Sequence, residues 1–238
     1  IQFQTGTYIG PDTIKHKSYR PKLKANIDNI DDALKLIAEA EKPIFYTGGG
    51  VINSGNAAVQ LLREFVRLTG FPITSTLQGL GAFPGDDTQF VGMLGMHGTY
   101  EANMAMNECD LMINIGARFD DRITGKIDEF SPNSKKIHID IDPSSINKVV
   151  NVDVALVGDV AHVLEDAIKL WKSKVYKVNK SQVKDWWKQI DKWKERDSLG
   201  CLLYTSDAAD EVSWVELGGR RIMKKGGWGG GGGGGGGG

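Results

Sequence analysis

The chain has 238 residues, with 29 basic and 30 acidic side chains and a formal net charge of −1; that is long enough for one sizeable core and too nearly neutral to draw nucleic acid or an anionic membrane electrostatically. Its two cysteines, Cys109 and Cys201, have no second Cys or His at metal-ligand spacing, which argues against a disulfide framework and a zinc site. No apolar run approaches the roughly 18 residues that cross a bilayer, and the start "IQFQTGTYIG" lacks a basic region followed by an apolar one, so the expected partners are small molecules and other protein chains and the expected compartment is the cytoplasm.

Residues 1–25 are polar, rich in Lys and Tyr and without an initial Met; they read as an extended connector in a chain cut from something longer. From Asn26 helix-period and strand-like segments alternate. "NIDDALKLIAEA" puts Ile30, Ala33, Leu34, Ile37 and Ala38 on one stripe, a core-facing helix with acidic residues in its first turn. "PIFYT" is a short buried strand ending at Gly48-Gly49-Gly50, and "SGNAAVQLLREFVRLTG" is a helix stopped by Gly70. "FPITSTL", "DLMINIG", "KKIHIDI" and "VALVG" are further strand candidates, separated by the helical segments "TYEANMAMNE", "PSSINKVV" and "VAHVLEDAIKLWK". This alternation predicts an α/β fold, a doubly wound, Rossmann-like parallel sheet, over residues 26–172.

In residues 173–198, Lys alternates with Trp186, Trp187 and Trp193. The pattern resembles a basic, aromatic nucleic-acid surface, but Val183, Trp187, Ile190 and Trp193 recur at helical spacing, so the better reading is an amphipathic helix in a linker, awaiting a docking partner in a following domain. Beyond Ser198, "CLLYTSDAAD", "LGGRRIMKK" and a closing glycine run resemble a translated sequencing adapter. Residues 199–238 are therefore expected to form no packed structure and to carry no site.

Open sheets of this kind bind ligands at the carboxyl ends of their strands, where strand order reverses. Gly48-Gly49-Gly50, "TLQG", "GARFDDRITG", Asp140 with Asp142, and Gly158-Asp159 all fall at such ends. The three glycines let a backbone approach a pyrophosphate and aim N–H groups at it, although the spacing is not G-x-G-x-x-G, since Asn53 takes the third glycine position. In "GARFDDRITG", Arg118 can give a phosphate a forked, charge-assisted pair of hydrogen bonds, with Asp120 and Asp121 holding the arginines in register. His97 has no nucleophile beside it in sequence, and Cys109 and the methionines read as packing residues.

The run "LGMHGTYEANMAMNECDLMINIGARFDDRITG", with "TSTLQGLGAFPGDD" before it and "KKIHIDIDPSSINKVV" after it, closely resembles the central domain of the catalytic subunit of the acetolactate (acetohydroxyacid) synthases, a family of thiamine-diphosphate enzymes. The resemblance covers roughly residues 1–198. It implies that this domain binds FAD in a mainly structural role. The implied contacts are Gly48, Gly49 and Gly50; Thr76, Leu77 and Gln78; Leu94, Gly95, Met96 and His97; Gly116, Ala117, Arg118, Asp120 and Arg122; and, toward the adenosine, Asp140, Ile141 and Asp159. At the acidic ribose-contacting position the family often has Glu where this chain has Asp140. The resemblance also implies that Met96, Asp121 and Arg122 face the substrate channel toward the thiamine cofactor.

The implied parent joins two 2-oxo acids, pyruvate with pyruvate or 2-oxobutyrate, for branched-chain amino-acid synthesis. It uses thiamine diphosphate and Mg²⁺ and works as a homodimer or tetramer that can carry a regulatory small subunit. Neither an activating Glu nor a Gly-Asp-Gly segment with a downstream Asn is recognisable in this span: "PGDD" and "VGDV" both lack the second glycine. No catalytic residue and no metal ligand is therefore assigned to this chain. Two alternatives stay open: another thiamine-diphosphate enzyme, such as a pyruvate oxidase, glyoxylate carboligase or oxalyl-CoA decarboxylase, or an independent nucleotide-binding module or NAD oxidoreductase on a related fold.

Overall fold

A computed structural model describes residues 21–196 of the chain. The expectations for most of the connector and for the glycine-rich tail lie outside the described residues.

Helix α1 (Ile27–Glu39) starts where the Asn26 side chain accepts the Asp28 N–H, and it buries the predicted stripe of Ile30, Ala33, Leu34 and Ile37. Strand β1 (Pro43–Thr47) follows, then a single short turn of helix, α2 (Gly49–Asn53), and helix α3 (Asn56–Thr69), which ends on Gly70 in the left-handed conformation. Next come β2 (Ile73–Ser75), β3 (Phe90–Met93), α4 (Tyr100–Glu108), β4 (Leu111–Ile115), the one-turn α5 (Asp121–Thr124), β5 (Lys135–Asp140), β6 (Val154–Val157), α6 (Val160–Ser173) and α7 (Lys180–Lys194).

The six strands form one parallel sheet in the order β3-β2-β1-β4-β5-β6, the doubly wound arrangement expected from the β-α alternation. Both faces are covered. Phe45, Ile113, Ile137 and Leu156 point into one core with residues of α1, α3 and α6. Ile44, Tyr46 and Met112 point into the other with residues of α4 and α7. Successive strand residues thus alternate between two interiors, which is why "PIFYT" and "LMINI" read as unbroken apolar runs rather than as half-polar ones.

Three local expectations are corrected. Strand β3 gives no strand signal in the sequence: it is four residues long, lies at the sheet edge and contains Gly92 at φ +95°, beside a register irregularity with β2. "PSSINKVV" is not a helix beyond a single 3₁₀ turn at Pro143–Ser145; Asn147 adopts φ +56° and its side chain accepts the Val152 N–H at 2.8 Å, turning the chain away. "FPITSTL" is strand only over Ile73–Ser75, because the Thr76 hydroxyl accepts the Gly79 N–H and starts another short 3₁₀ turn, Leu77–Gly79.

Helix α7 corrects a fourth. Expected to lack a docking partner, it packs on the domain itself, burying Val183, Trp186 and Ile190. The Trp186 indole N–H donates to the Pro43 carbonyl at 3.0 Å, and that of Trp187 to the Gly70 carbonyl at 2.9 Å. Trp186, left off the predicted stripe, is the deepest of the three tryptophans because it fills the space between α4 and the start of β1. At the far end of α6, Asp31 accepts from Lys174 at 2.7 Å and Tyr176 at 2.8 Å. The bond from Lys174, with Tyr176 and Lys35 adding to it, lowers the Asp31 pKa to about 2.

If α7 belongs to this body, limited proteolysis of the chain leaves a protected core reaching the end of α7 near Lys194, not one ending at Ser173. Trp186→Ala lowers stability by about 3–5 kcal/mol and exposes α7 to cleavage; mass spectrometry of the digest and denaturant titration check both.

Candidate functional site

Strand β1 leads on to β2 and β3 on one side and β4 to β5 and β6 on the other, so the loops leaving their carboxyl ends diverge at the point where strand order reverses. Here those loops are in backbone contact. The Gly48 N–H donates to the Ile115 carbonyl at 3.0 Å, the Gly50 N–H to the Gly116 carbonyl at 2.9 Å, and the Gly116 N–H to the Ile139 carbonyl at 2.8 Å. A Cβ on Gly48 would lie 2.4 Å from the Gly116 oxygen and one on Gly50 2.7 Å from the Gly116 Cα; Gly116 itself sits at φ +63°. The expectation that the glycine amides face a ligand therefore fails for Gly48 and Gly50. Their N–H groups are spent on this seam, and the missing side chains are needed for backbone to touch backbone.

The other predicted segments gather around the seam. The Thr76 N–H bonds the Thr47 carbonyl at 2.9 Å. That leaves Leu77 and Gln78 exposed, and Gln78 lies against Gly49. Leu94 is buried with its N–H on the Ser75 carbonyl, and the Asn103 side chain brackets Gly95, accepting its N–H at 2.9 Å and donating to its carbonyl at 3.0 Å. The Met96 N–H donates to the Arg122 carbonyl at 3.2 Å, which joins the loop after β3 to the start of α5. Met96 is 59 % exposed, and His97, Asp121 and Arg122 are exposed beside it.

Arg118 projects from the loop after β4 with its side chain 69 % exposed and pairs with Asp120 at 3.0 Å. Such an exposed pair is worth at most about 1 kcal/mol, so the guanidinium is readily exchanged onto a stronger anion. Its neighbours Ala117 and Phe119 are buried, so the chain alternates inward and outward through the loop.

Asp140 and Ile141 are half-buried at the end of β5, with one Asp140 oxygen accepting the Asp142 N–H at 2.8 Å. The Asp159 carboxylate, at a position implied to face the adenosine, is already engaged: it accepts from the Ser54 hydroxyl at 2.9 Å and caps α6 through the Ala161 N–H at 3.0 Å. Its oxygens already tie α6 to the turn before α3. From the loop after β3 to Asp159 after β6 the predicted residues cross five strand spacings of about 4.8 Å, roughly 24 Å in all. Only an extended ligand touches both ends.

Buried polar side chains beneath the Arg118 loop escaped the sequence reading. The Asn114 amide donates to the Ala117 carbonyl at 2.8 Å and accepts the Ala117 N–H at 3.2 Å; His138 Nε2 lies 2.9 Å from the same carbonyl; the Tyr46 hydroxyl donates to the Arg118 carbonyl at 3.1 Å. The available signal was a polar residue inside an otherwise apolar buried run. Burial, reinforced by the charge of Asp120, raises the Tyr46 pKa and keeps its hydroxyl a donor. Cys109 is buried and its thiol is pushed up to about 11 by that burial, consistent with a packing residue.

Two surface cavities, of about 260 and 500 Å³, lie at the opposite, amino edge of the sheet, beside Asp110 and beside Gly70 with Trp187, and touch none of the predicted site residues. Among the described residues no group of three or more His, Cys, Asp or Glu side chains is arranged to hold a metal ion, and no helix is long and apolar enough to cross a membrane.

Residues 30–167 match the family model described as the thiamine pyrophosphate enzyme, central domain. Among curated proteins, the chain is 45 % identical over 192 residues to the acetolactate synthase large subunit of Buchnera aphidicola subsp. Acyrthosiphon pisum, covering 81 % of this chain and 33 % of that protein. It is 42 % identical over 197 residues to the acetolactate synthase isozyme 3 large subunit of Escherichia coli, covering 83 % and 33 %, and 46 % identical over 174 residues to the acetolactate synthase of Mycobacterium leprae, covering 73 % and 27 %. The chain thus spans between about a quarter and a third of the length of these relatives.

The seam carries a test of its own. Gly48→Ala drives a methyl group into the Gly116 backbone and destabilises the fold by about 3 kcal/mol, the upper end of the usual cost of overpacking. Gly85→Ala, where an added Cβ meets nothing within 4 Å, leaves the unfolding midpoint nearly unchanged; thermal denaturation of the two variants checks the contrast.

Proposed function

Because the chain belongs to the thiamine pyrophosphate enzyme central-domain family, we propose that it is the FAD-binding middle domain of an acetolactate synthase large subunit. In this reading residues 26–172 hold the flavin dinucleotide, residues 1–25 are the connector from a preceding domain, residues 173–198 lead toward a following one, and residues 199–238 are not part of the working protein. The observation that carries the reading is the alignment of the implied contacts along one sheet edge, centred on the strand-order reversal and long enough for an extended dinucleotide.

Exposed Arg118 fits a pyrophosphate, as a charged fork beside a seam that gives up two of its own N–H groups. Leu77 and Met96, two large apolar side chains left exposed, fit an aromatic ring system. Half-buried Asp140, an acceptor at the end of β5, fits a ribose hydroxyl. Asp159 would contribute by placing the loop after β6, since its carboxylate is taken by Ser54 and the α6 cap, its N–H by the Leu23 carbonyl and its own carbonyl by the Val163 N–H. FAD in this role supplies shape and packing rather than redox chemistry. This chain's part is to bind and orient it and, through Met96, Asp121 and Arg122, to line the way to the substrate.

The whole protein would join two 2-oxo acids with thiamine diphosphate and Mg²⁺ bound by other domains, as a cytoplasmic homodimer or tetramer with or without a regulatory small subunit.

Titration of the chain with FAD, followed by flavin fluorescence, gives saturable binding. Arg118→Ala weakens it roughly tenfold to a few hundredfold, the loss of charged hydrogen bonds to phosphate. Equal affinity of the variant would remove Arg118 from the site. Incubated with FAD, thiamine diphosphate, Mg²⁺ and pyruvate, the chain yields no acetolactate above a protein-free control, since the electron sink belongs to a cofactor it does not hold. Sustained, protein-dependent turnover would show that the division of labour among domains is wrong.

A further inference from the structure

The three buried polar residues under the Arg118 loop come from three different strands, yet they form one row. Tyr46 of β1 is registered with Asn114 of β4, and Asn114 with His138 of β5. All three side chains are fully buried. A polar residue in the middle of a parallel sheet is costly unless its hydrogen bonds are made, and three in register across the central strands all send theirs to the same short piece of chain.

The need for them comes from the end of the sheet ladder. The Gly116 N–H makes the last strand-like bond, to the Ile139 carbonyl; beyond it the backbone has no neighbouring strand. Every carbonyl in the next stretch is taken nonetheless: that of Gly116 by the Gly50 N–H, that of Ala117 by Asn114 and His138, and that of Arg118 by Tyr46. A carbonyl accepts only, so His138 Nε2 donates in that contact, while Nδ1 has no hydrogen-bond partner among the described residues. The ring is therefore spent on one bond. With Ala117 and Phe119 also buried, the one exposed side chain in the braced stretch, between fixed carbonyls on either side, is that of Arg118, held only by its exposed pair with Asp120.

We propose that Tyr46, Asn114 and His138 are positioning residues that hold the two carbonyls flanking the Arg118 side chain, and so aim its guanidinium at the phosphates of the ligand. The proposal rests on the dinucleotide reading above for the identity of the ligand, but not for the existence of the clamp. A guanidinium on a loose loop must be ordered when it binds, whereas one on a braced loop has lost that freedom already. The row therefore acts on affinity only through Arg118.

That dependence separates positioning from mere stability. In the full chain, Tyr46→Phe keeps the ring and removes only the hydroxyl bond to the Arg118 carbonyl. Hydrogen exchange of the ligand-free protein, read by mass spectrometry, becomes faster in the peptide covering residues 117–124. FAD binding weakens about two- to tenfold, the range of one net hydrogen bond, and it weakens no further when Tyr46→Phe is added to Arg118→Ala. His138→Gln, which can still offer an N–H, retains most of the affinity that His138→Leu loses.

Unchanged exchange in Tyr46→Phe would overturn the clamp, and an equal loss of affinity with and without Arg118 would overturn its positioning role. The same cycle run with ADP, which carries phosphates but no flavin, keeps the two readings apart. Binding of ADP without FAD would sink the flavin assignment and leave the positioning role to be decided by the ADP cycle, whereas binding of neither would overturn the flavin assignment and the positioning role together, the clamp itself being decided by the exchange measurement.

Discussion

The contact between Gly48, Gly50 and Gly116 governs the site. In a doubly wound sheet the two central strands send their loops in opposite directions, and the gap between those loops is where a ligand ordinarily meets the sheet. Here the loops touch at main-chain distance, with Gly48 and Gly50 donating across to the chain around Gly116. Two donors that a phosphate could have used are consumed. On the dinucleotide reading proposed above, the electrostatic burden of binding an anion would then move along the chain to Arg118, whose guanidinium has a fork geometry matched to phosphate oxygens. A glycine run at a strand end can thus be a packing device rather than an anion cradle.

The fold was legible because it is written in periodicity. Stripes such as Ile30, Ala33, Leu34 and Ile37 can bury only as a helix, and runs such as "PIFYT" and "LMINI" are apolar on both sides because the sheet has two interiors. The features that escaped were set by single contacts. The β3 segment is too short and too glycine-bent to have a period, and "PSSINKVV" is stopped by one left-handed Asn147. The stripe of α7 was misjudged by one position because Trp186 and Trp187 are both large and adjacent; only the Pro43 carbonyl and the space beside α4 decide which is buried deeper.

The neighbourhood of the site could be read from strand-end chemistry, since charge and glycine stand out where a buried strand stops. The roles within it could not. Nothing in the order of letters tells that the Asp159 carboxylate is held by Ser54 and the α6 cap, or that the Gly48 and Gly50 amides face inward. These are questions of which acceptor reaches a donor first, and the competitors lie up to 105 residues apart in the chain. The docking of α7 is of the same kind. It fastens to the amino edge of the sheet and stacks Arg196 on Tyr100 at the start of α4, while Asn103 of α4 brackets Gly95 in the site loop. A segment that looks like a lead-out is thus in contact with the helix that holds part of the site.

The row of Tyr46, Asn114 and His138 obeys the same economy. Hydrophobic residues at those positions would pack the sheet at no polar cost, but the chain beyond Gly116 would then leave the Ala117 and Arg118 carbonyls to find water or to stay unpaired beside the buried Ala117 and Phe119 side chains. Either outcome loosens the loop: a hydrated carbonyl draws the chain outward, and an unpaired one favours any conformation that exposes it. Three buried donors remove both options, at the cost of a sheet whose central strands must keep their register, because a one-residue slip would turn the row to the opposite face. The seam and the row are two parts of one arrangement. The first brings the β1 and β4 loops together and uses up the Gly48 and Gly50 amides; the second fixes the chain beyond Gly116, so that the carbonyls on either side of the Arg118 side chain are held by buried donors while the guanidinium itself stays at the surface, paired with Asp120.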